Sequence, residues 1–180
     1  MTVHAPSGCV RTFTGKKFFI FDPRPEDVCA ADIAHALSMQ CRYNGHTEQF
    51  YSVAQHCVLM SHAVSLEYQL EALLHDAAEA YIGDIVRPLK HSSSMTAYCN
   101  IDENITSVIY QKYGLPPYQR SHEVKQADSR ILADEAHLVR NLAPDISLEP
   151  LGVTINRWSP AEAERRYLMR LSGLTGLSVP

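Results

Sequence analysis

A histidine and two carboxylates lie in the otherwise apolar segment Leu73–Glu79, with the sequence LLHDAAE. Burying such groups is costly unless a metal ion or a network of hydrogen bonds satisfies them. On a helix, His75 and Asp76 would be about 100° apart, so both could reach one ion lying between them. Glu79 would project over the same patch. Two ligands and a nearby base suit a metal ion that activates a water molecule.

Other helices must complete the metal shell. The candidates are His56 and Asp128, since each is a good ligand at a predicted helix-interior position flanked by apolar residues. Two His and two Asp suit one borderline divalent transition metal, such as Mn²⁺, Co²⁺, Fe²⁺, Ni²⁺ or Zn²⁺, better than Ca²⁺. Periodicity alone does not select these two residues from the nine histidines and the aspartates of the chain.

Helical periodicity and capping signals predict the elements that position these residues. Ser52 and Gln55 form an S-x-x-Q capping box, Ser121 could cap the helix that follows it, Ser159 precedes a proline and a glutamate, and Gly114 stands at a helix end. The predicted helices span Ala30 to Met39, Ser52 to about Val64, Ser65 to just before Gly83, Met95 to Tyr113, His122 to Asn141 and Ser159 to about Leu171.

The remaining segments predict a small extended arm and an irregular stretch. Val10 to Phe21 has the β-branched and aromatic residues of a short hairpin around Gly15-Lys16, and a proline-rich break follows. We therefore expect one all-α domain over residues 1–180. It would consist of an N-terminal arm over 1–25, a helical core with the metal site over 30–141, and an irregular segment with a C-terminal helix over 142–180.

Composition excludes several classes of protein. The chain has 180 residues, 46% of them apolar and 20% charged, which is enough apolar material for a core and argues against disorder. A net charge of −4 without a basic run argues against binding to duplex nucleic acid. Neither a membrane-spanning stretch nor a secretory signal is recognisable, so we expect a cytoplasmic protein that does not bind a membrane. The five cysteines form no C-x-x-C pair.

The order of the candidate ligands resembles that of the HD-domain superfamily of metal-dependent phosphohydrolases. The match covers about Arg42 to Asp134, in blocks shared with bacterial HD-type 5'-deoxynucleotidases and with small phage and bacterial HD phosphohydrolases that act on (deoxy)nucleotides. Those blocks are Ser52–His56 (SVAQH), His75–Glu79 (HDAAE), Gly83-Asp84 and Ala127–Arg130 (ADSR). The resemblance implies a compact HD-domain helical bundle.

The resemblance also implies roles for individual residues. His56, His75, Asp76 and Asp128 would be the metal ligands, and Glu79 would position or deprotonate the attacking water. Arg42 and the aromatic Tyr43 would match the pair that holds the phosphate, although the deoxynucleotidases have a tryptophan in the second position. Asp84 would be a second acidic residue near the scissile bond, while Lys90 and His46 are candidates for contacting the substrate.

These roles predict an enzyme whose partner is a small-molecule nucleotide. Water would attack the α-phosphorus of a 5'-(deoxy)nucleotide, releasing phosphate from a monophosphate or tripolyphosphate from a triphosphate. The alternatives are hydrolysis of an alarmone or cyclic nucleotide, and a non-catalytic HD module that senses a nucleotide. A homo-oligomer stays open, because the arm and the irregular segment could pack against a neighbouring copy.

Overall fold

A computed structural model describes residues 8–117, 120–139 and 149–177. Its regular structure is almost entirely helical, which confirms the all-α class. The α-helices of this part of the chain are α1 (Ala30–Met39), α2 (Val53–Ala63), α3 (Gln69–Leu74), α4 (Glu79–Ile82), α5 (Arg87–Lys90), α6 (Thr96–Lys112), α7 (His122–Glu135) and α8 (Pro160–Thr175).

The predicted hairpin arm is present and packs on the helices. Strand β1 (Val10–Arg11) pairs antiparallel with β2 (Lys17–Phe18), and Gly15 supplies the positive φ of 81° that the turn requires. Phe18 is fully buried and stacks on Tyr81 with ring centroids 3.6 Å apart. The arm is therefore an integral part of the domain.

Helix α8 closes the core by packing against α1, α2 and α3. Leu37, Leu73 and Leu171 are fully buried in the main apolar cluster. Tyr167 is also buried there, and its hydroxyl donates a hydrogen bond to the Leu73 carbonyl at 3.0 Å. A second, smaller cluster lies between α2 and α7. Helix α2, which carries His56, is thereby held on both sides.

The serine caps predicted for three helices are present. Ser52, Ser121 and Ser159 each accept a hydrogen bond from the backbone N–H three residues later, at 3.1 to 3.2 Å. The other hydrogen bond of the predicted capping box, from the Ser52 backbone N–H to the Gln55 side chain, is absent, so this part of the prediction is wrong. The Gln55 amide donates instead to the Asn156 carbonyl at 2.6 Å, because the segment before α8 lies against α2.

One continuous helix from Ser65 to Gly83 was expected, and this expectation is wrong. The segment begins with a 3₁₀ turn, continues as α3, and passes through tight turns at 75–78 before α4. The Ala72 carbonyl, which would bond to the Asp76 N–H in a continuing helix, accepts a hydrogen bond from His75 Nδ1 at 2.8 Å. Glu79 N–H donates to the Asp76 carbonyl three residues back, at 3.0 Å. The histidine ring thus interrupts the helix.

Other boundaries differ by smaller amounts. The segment between the helices predicted to end before Gly83 and to begin at Met95 contains α5, because Pro88 is compatible with the first helical turn. Helix α7 ends at Glu135, and the predicted end of this helix at Asn141 lies outside the described residues. Helix α8 continues past Leu171 to Thr175. The described part of the predicted irregular segment, residues 149–158, contains no regular structure.

Within the described ranges, no helix has both the length and the apolar character needed to cross a membrane.

We predict that Ser121→Ala lowers the free energy of unfolding by about 1 kcal/mol, because it removes the cap of α7. Chemical denaturation measures this change. Ser107→Ala is the control, since the Ser107 hydroxyl bonds only to a carbonyl of its own helix at Glu103. Equal effects of the two changes would contradict the capping role.

Candidate metal centre and its cavity

Two buried histidine rings, His56 of α2 and His75 of the turn after α3, are oriented by acceptors on their Nδ1 atoms. His56 Nδ1 donates to the Glu135 carboxylate at 2.8 Å, and His75 Nδ1 donates to the Ala72 carbonyl at 2.8 Å. A carbonyl or carboxylate oxygen can only accept, so the Nδ1 atoms carry the protons. The Nε2 atoms are therefore the ring nitrogens left to bind a metal ion.

Both carboxylates predicted as ligands lie at these Nε2 atoms. Asp76 Oδ2 is 3.0 Å from Nε2 of His75 and 3.8 Å from Nε2 of His56. Asp128 Oδ1 is 3.5 Å from Nε2 of His56 and 3.9 Å from Nε2 of His75. The structure thus brings all four predicted ligands to one point, from α2, the turn at 75–78 and α7.

The site fits a metal ion. Neither Nε2 atom, although buried, has a hydrogen-bond partner among the described residues. An unsatisfied buried polar atom costs free energy, so two such atoms facing the same point indicate a missing partner. The ligand atoms of His56, His75 and Asp76 all lie within 4.8 Å of one another. This buried group could hold a metal ion.

The pKa values of both aspartates are lowered by neighbouring groups. Burial alone would raise the pKa of Asp76, but His75 and Arg120 lower it well below its ordinary value. Burial likewise opposes ionisation of Asp128, but the neighbouring His56 and His75 lower its pKa well below its ordinary value. Both side chains are therefore ionised at neutral pH, as metal ligands must be.

Glu135, at the end of α7, is a buried carboxylate that connects the metal centre to the predicted phosphate site. Its side chain is 0% exposed and accepts hydrogen bonds from four side chains. The donors are His56 Nδ1 at 2.8 Å, Tyr51 OH at 2.9 Å, Tyr43 OH at 2.6 Å and Arg42 Nη2 at 3.2 Å. Burial would raise the pKa of Glu135, but Arg42 and His56 lower it to about 2.

Arg42 and Tyr43 lie on a turn with an unusual backbone. Tyr43 and Asn44 have φ values of 56° and 51°, in the left-handed region that residues other than glycine rarely adopt. The turn directs Arg42 between two carboxylates, because Nη1 is 3.8 Å from Asp76 and Nη2 is 3.2 Å from Glu135. The arginine therefore lies beside the metal centre, where the resemblance predicts it.

A cavity of about 810 Å³ opens at the metal centre. The predicted residues Arg42, Tyr43, Glu79, Asp84 and Lys90 all line it, together with Asp76 and Asp128. The predicted contact residue His46 does not. It is exposed at the end of the turn that carries Arg42, and the structure does not place it among the residues that line the cavity.

The second half of the cavity holds a chain of charges around Glu79. Lys90 Nζ lies 3.7 Å from Glu79 Oε1 and 2.9 Å from Asp102 Oδ2. Burial and the carboxylates of Asp76 and Asp84 raise the pKa of Glu79 well above its ordinary value. Burial also raises the pKa of Asp84. Both carboxyl groups therefore keep a proton up to a higher pH than exposed carboxylates do.

Two residues of the site were not predicted from the sequence. Arg120 precedes α7, and its guanidinium lies 3.7 Å from Asp76 and 3.6 Å from Asp128, so it joins the two acidic ligands. No sequence signal singles it out. Glu135 did have a signal, since a carboxylate seven residues after Asp128 falls on the apolar face that also contains Ile131.

The fold and the site define an all-α protein with a buried candidate metal centre. No model of a known protein family matches the chain. Over 126 residues the chain is 48% identical to the Escherichia coli (strain K12) protein named "Uncharacterized protein YfdR", covering 70% of this chain and 69% of YfdR. Over 131 residues it is 33% identical to "Uncharacterized protein RCAP_rcc00048" of Rhodobacter capsulatus, covering 66% of each. The chain belongs to the family of YfdR.

We predict that Glu135→Gln weakens binding of Mn²⁺ by roughly 10- to 100-fold, the range found when the acceptor behind a metal-binding histidine is lost. The amide keeps one acceptor oxygen but directs an N–H₂ group at donors of the same cluster. Isothermal titration calorimetry measures the dissociation constant.

The matched control is Glu164→Gln, which changes a carboxylate paired with a different histidine, His35, at 3.1 Å. We expect this variant to bind Mn²⁺ like the parent protein. An unchanged dissociation constant in Glu135→Gln would show that the orientation of His56 does not depend on the carboxylate.

Proposed function

We propose that this protein is a metal-dependent phosphohydrolase that acts on 5'-(deoxy)nucleotides. The observation that carries the proposal is the convergence of two unsatisfied histidine Nε2 atoms and two aspartates at the end of a cavity that is also lined by Arg42, Arg87, Lys90, Arg120 and Lys125. A metal ion beside several cations suits a phosphoryl group, which carries charge on all its free oxygens.

His56, His75, Asp76 and Asp128 would hold one divalent transition metal, with Mn²⁺, Co²⁺, Zn²⁺, Fe²⁺ and Ni²⁺ all compatible with the N and O donors. When bound, such an ion polarises a phosphoryl oxygen and lowers the pKa of a water molecule. The cations that pair with the ligand aspartates would then face the phosphate.

Arg42 would bind the phosphate and stabilise the charge on its equatorial oxygens in the transition state. Its guanidinium is held at fixed positions by Glu135 and Asp76 before any substrate arrives. This preorganisation avoids the free energy of ordering a flexible side chain during the reaction. Arg120, beside the two aspartates, would provide a second positive charge at the centre.

Glu79 would accept the proton of the attacking water. Its raised pKa makes the ionised carboxylate a stronger proton acceptor, and its Oε2 atom has no hydrogen-bond partner among the described residues. The water oxygen would form a bond to the α-phosphorus while the bond from phosphorus to O5' breaks. Asp84 would return a proton to O5', so that a neutral nucleoside leaves.

The cavity also has an apolar wall suited to a nucleoside. Ile85, Val86, Pro88 and Leu132 line it together with the charged residues. Pockets that combine apolar walls with a few directed polar groups are typical of small-molecule sites. A base and sugar could therefore be held while the phosphate lies at the metal centre.

Additional cations favour a phosphate chain but do not decide its length. The cations of the N-terminal arm, Lys16, Lys17 and Arg24, are exposed and do not line the cavity. Arg87 and Lys90 do line it, and the structure adds Arg120 and Lys125. Monophosphates and triphosphates are both attacked at the α-phosphorus, so the products must distinguish them.

The test is chromatographic analysis of products from deoxynucleoside monophosphates and triphosphates, incubated with Mn²⁺ or with chelator. We predict nucleoside formation that requires the metal and is lost in Asp76→Ala. Orthophosphate among the products would identify a monophosphate substrate, and tripolyphosphate would identify a triphosphate. A folded, metal-loaded protein without turnover would overturn the proposal in favour of an alarmone substrate or a sensing module.

We further predict that Glu79→Gln lowers kcat by roughly 10²- to 10⁴-fold, the usual contribution of a general base. The affinity for Mn²⁺ should stay within about threefold, because Glu79 acts on the water and is not one of the four ligands. The control is Glu103→Gln, a carboxylate lining the same cavity that should leave kcat unchanged. Loss of Mn²⁺ binding in Glu79→Gln would instead make Glu79 a ligand.

A further inference from the structure

A second concave surface lies between α2 and α8, away from the residues that line the metal cavity. It has a volume of about 560 Å³, within the range of small-molecule pockets. We call it the α2–α8 groove. Its residues are Val58, Leu59 and His62 of α2, Trp158 of the preceding segment, and Arg165, Arg166, Met169, Arg170 and Gly173 of α8.

The groove has an excess of positive charge in a protein whose net charge is −4. Three arginines line it, and none of its lining residues is acidic. Arg165 and Arg166 both bond to the same carboxylate, Glu162, at 2.9 and 2.6 Å. One carboxylate therefore neutralises only one of these two positive charges.

Arg170 adds a positive charge that no carboxylate among the described residues neutralises. Its Nε donates to the Ser61 hydroxyl at 3.0 Å, and its Nη2 donates to the Ser61 carbonyl at 2.8 Å and to the Gln69 amide oxygen at 2.7 Å. These neutral acceptors fix the guanidinium without cancelling its charge, and burial lowers the pKa of Arg170. A fixed, partly buried cation without a counter-ion favours an anionic ligand.

The groove also has an apolar side. Val58 is buried, Trp158 is half-buried, and Met169 is 60% exposed although it is a large apolar residue. The guanidinium of Arg166 lies over the indole of Trp158, 4.3 Å from the ring centroid, which holds this arginine beside the apolar surface. An aromatic group and an anion would find matching surfaces side by side.

We infer that the α2–α8 groove binds an aromatic phosphate of about the size of a mononucleotide. Guanidinium groups bind phosphate oxygens in pairs and with defined geometry, and three arginines line this groove. The aromatic part of the ligand would cover Met169 and the exposed edge of Trp158. This inference concerns a second site and does not depend on the reaction proposed for the metal cavity.

The protein provides its own reporter for this site, because Trp158 is its single tryptophan. We would titrate the whole protein with deoxyadenosine 5'-monophosphate in the presence of chelator and follow the tryptophan fluorescence. We expect a saturable change. Inorganic phosphate and deoxyadenosine each supply only one part of the ligand. Each should bind more weakly than the nucleotide by roughly tenfold or more.

Arg170→Gln should raise the dissociation constant of the nucleotide roughly tenfold or more, as expected for loss of a hydrogen bond to a charged group. Arg165→Gln should raise it too, and it is the safer variant for folding because Arg165 is exposed and bonds only within α8. The control is Arg42→Gln, which alters the metal cavity and should leave the dissociation constant within about twofold.

Three results would overturn the inference. The first is the absence of any saturable change. The second is a response abolished by Arg42→Gln but not by Arg170→Gln or Arg165→Gln, which would place the nucleotide in the metal cavity. The third is equal binding of deoxyadenosine, which would show that the arginines do not contribute.

Discussion

The hydrogen bond from His56 Nδ1 to Glu135 is the interaction on which the rest of the site depends. A buried carboxylate is costly, and this one is offset by four donors from the segment 42–56. Because its pKa is lowered to about 2, it stays ionised and remains an acceptor at any ordinary pH. It therefore keeps the proton on Nδ1 of His56 and the lone pair on Nε2, towards the aspartates.

The position of Glu135 depends in turn on how α7 is fixed at both ends. At its beginning, the backbone N–H of the capping residue Ser121 donates to Glu71 at 2.6 Å. Near its end, Asp134 accepts hydrogen bonds from the backbone N–H groups of residues 151–153. The helix that carries Asp128 and Glu135 cannot slide along its axis without breaking one of these contacts. The geometry of the centre thus depends on residues outside it.

Local signals predicted most of the helices, and the failures occurred where a side chain made a different hydrogen bond from the one expected. Ser52, Ser121 and Ser159 act within one turn, so sequence suffices to identify them as caps. The break after α3 depends on the ring of His75, which takes over a backbone carbonyl. The side-chain amide of Gln55 donates to the carbonyl of Asn156, which is far along the chain, and not to its own helix end. The Gln55 contact spans 101 positions, so no local window of sequence contains both of its partners. The His75 contact is local, but helical periodicity does not show that a side chain will take the place of a backbone donor.

The site shows the same division. Residue types and the order of the blocks predicted His56, His75, Asp76 and Asp128 as one cluster, and the structure brings them together. Glu135 and Arg120 were missed because their contribution lies in their contacts, and Glu135 is separated from Arg42 by 93 positions. Only the folded chain shows that this carboxylate touches both a ligand histidine and the arginine.

That shared carboxylate explains why a strained turn is retained at Tyr43 and Asn44. A left-handed backbone at a residue other than glycine costs about 1 kcal/mol or more, and persists only where its surroundings impose it. Here the Tyr43 hydroxyl and the Arg42 guanidinium both bond to Glu135, which has its other oxygen on His56. A backbone that relaxed would move the arginine away from Asp76 and leave a buried charge short of two donors. The strain of the turn, the orientation of the histidine and the position of the arginine therefore all depend on the same carboxylate, Glu135.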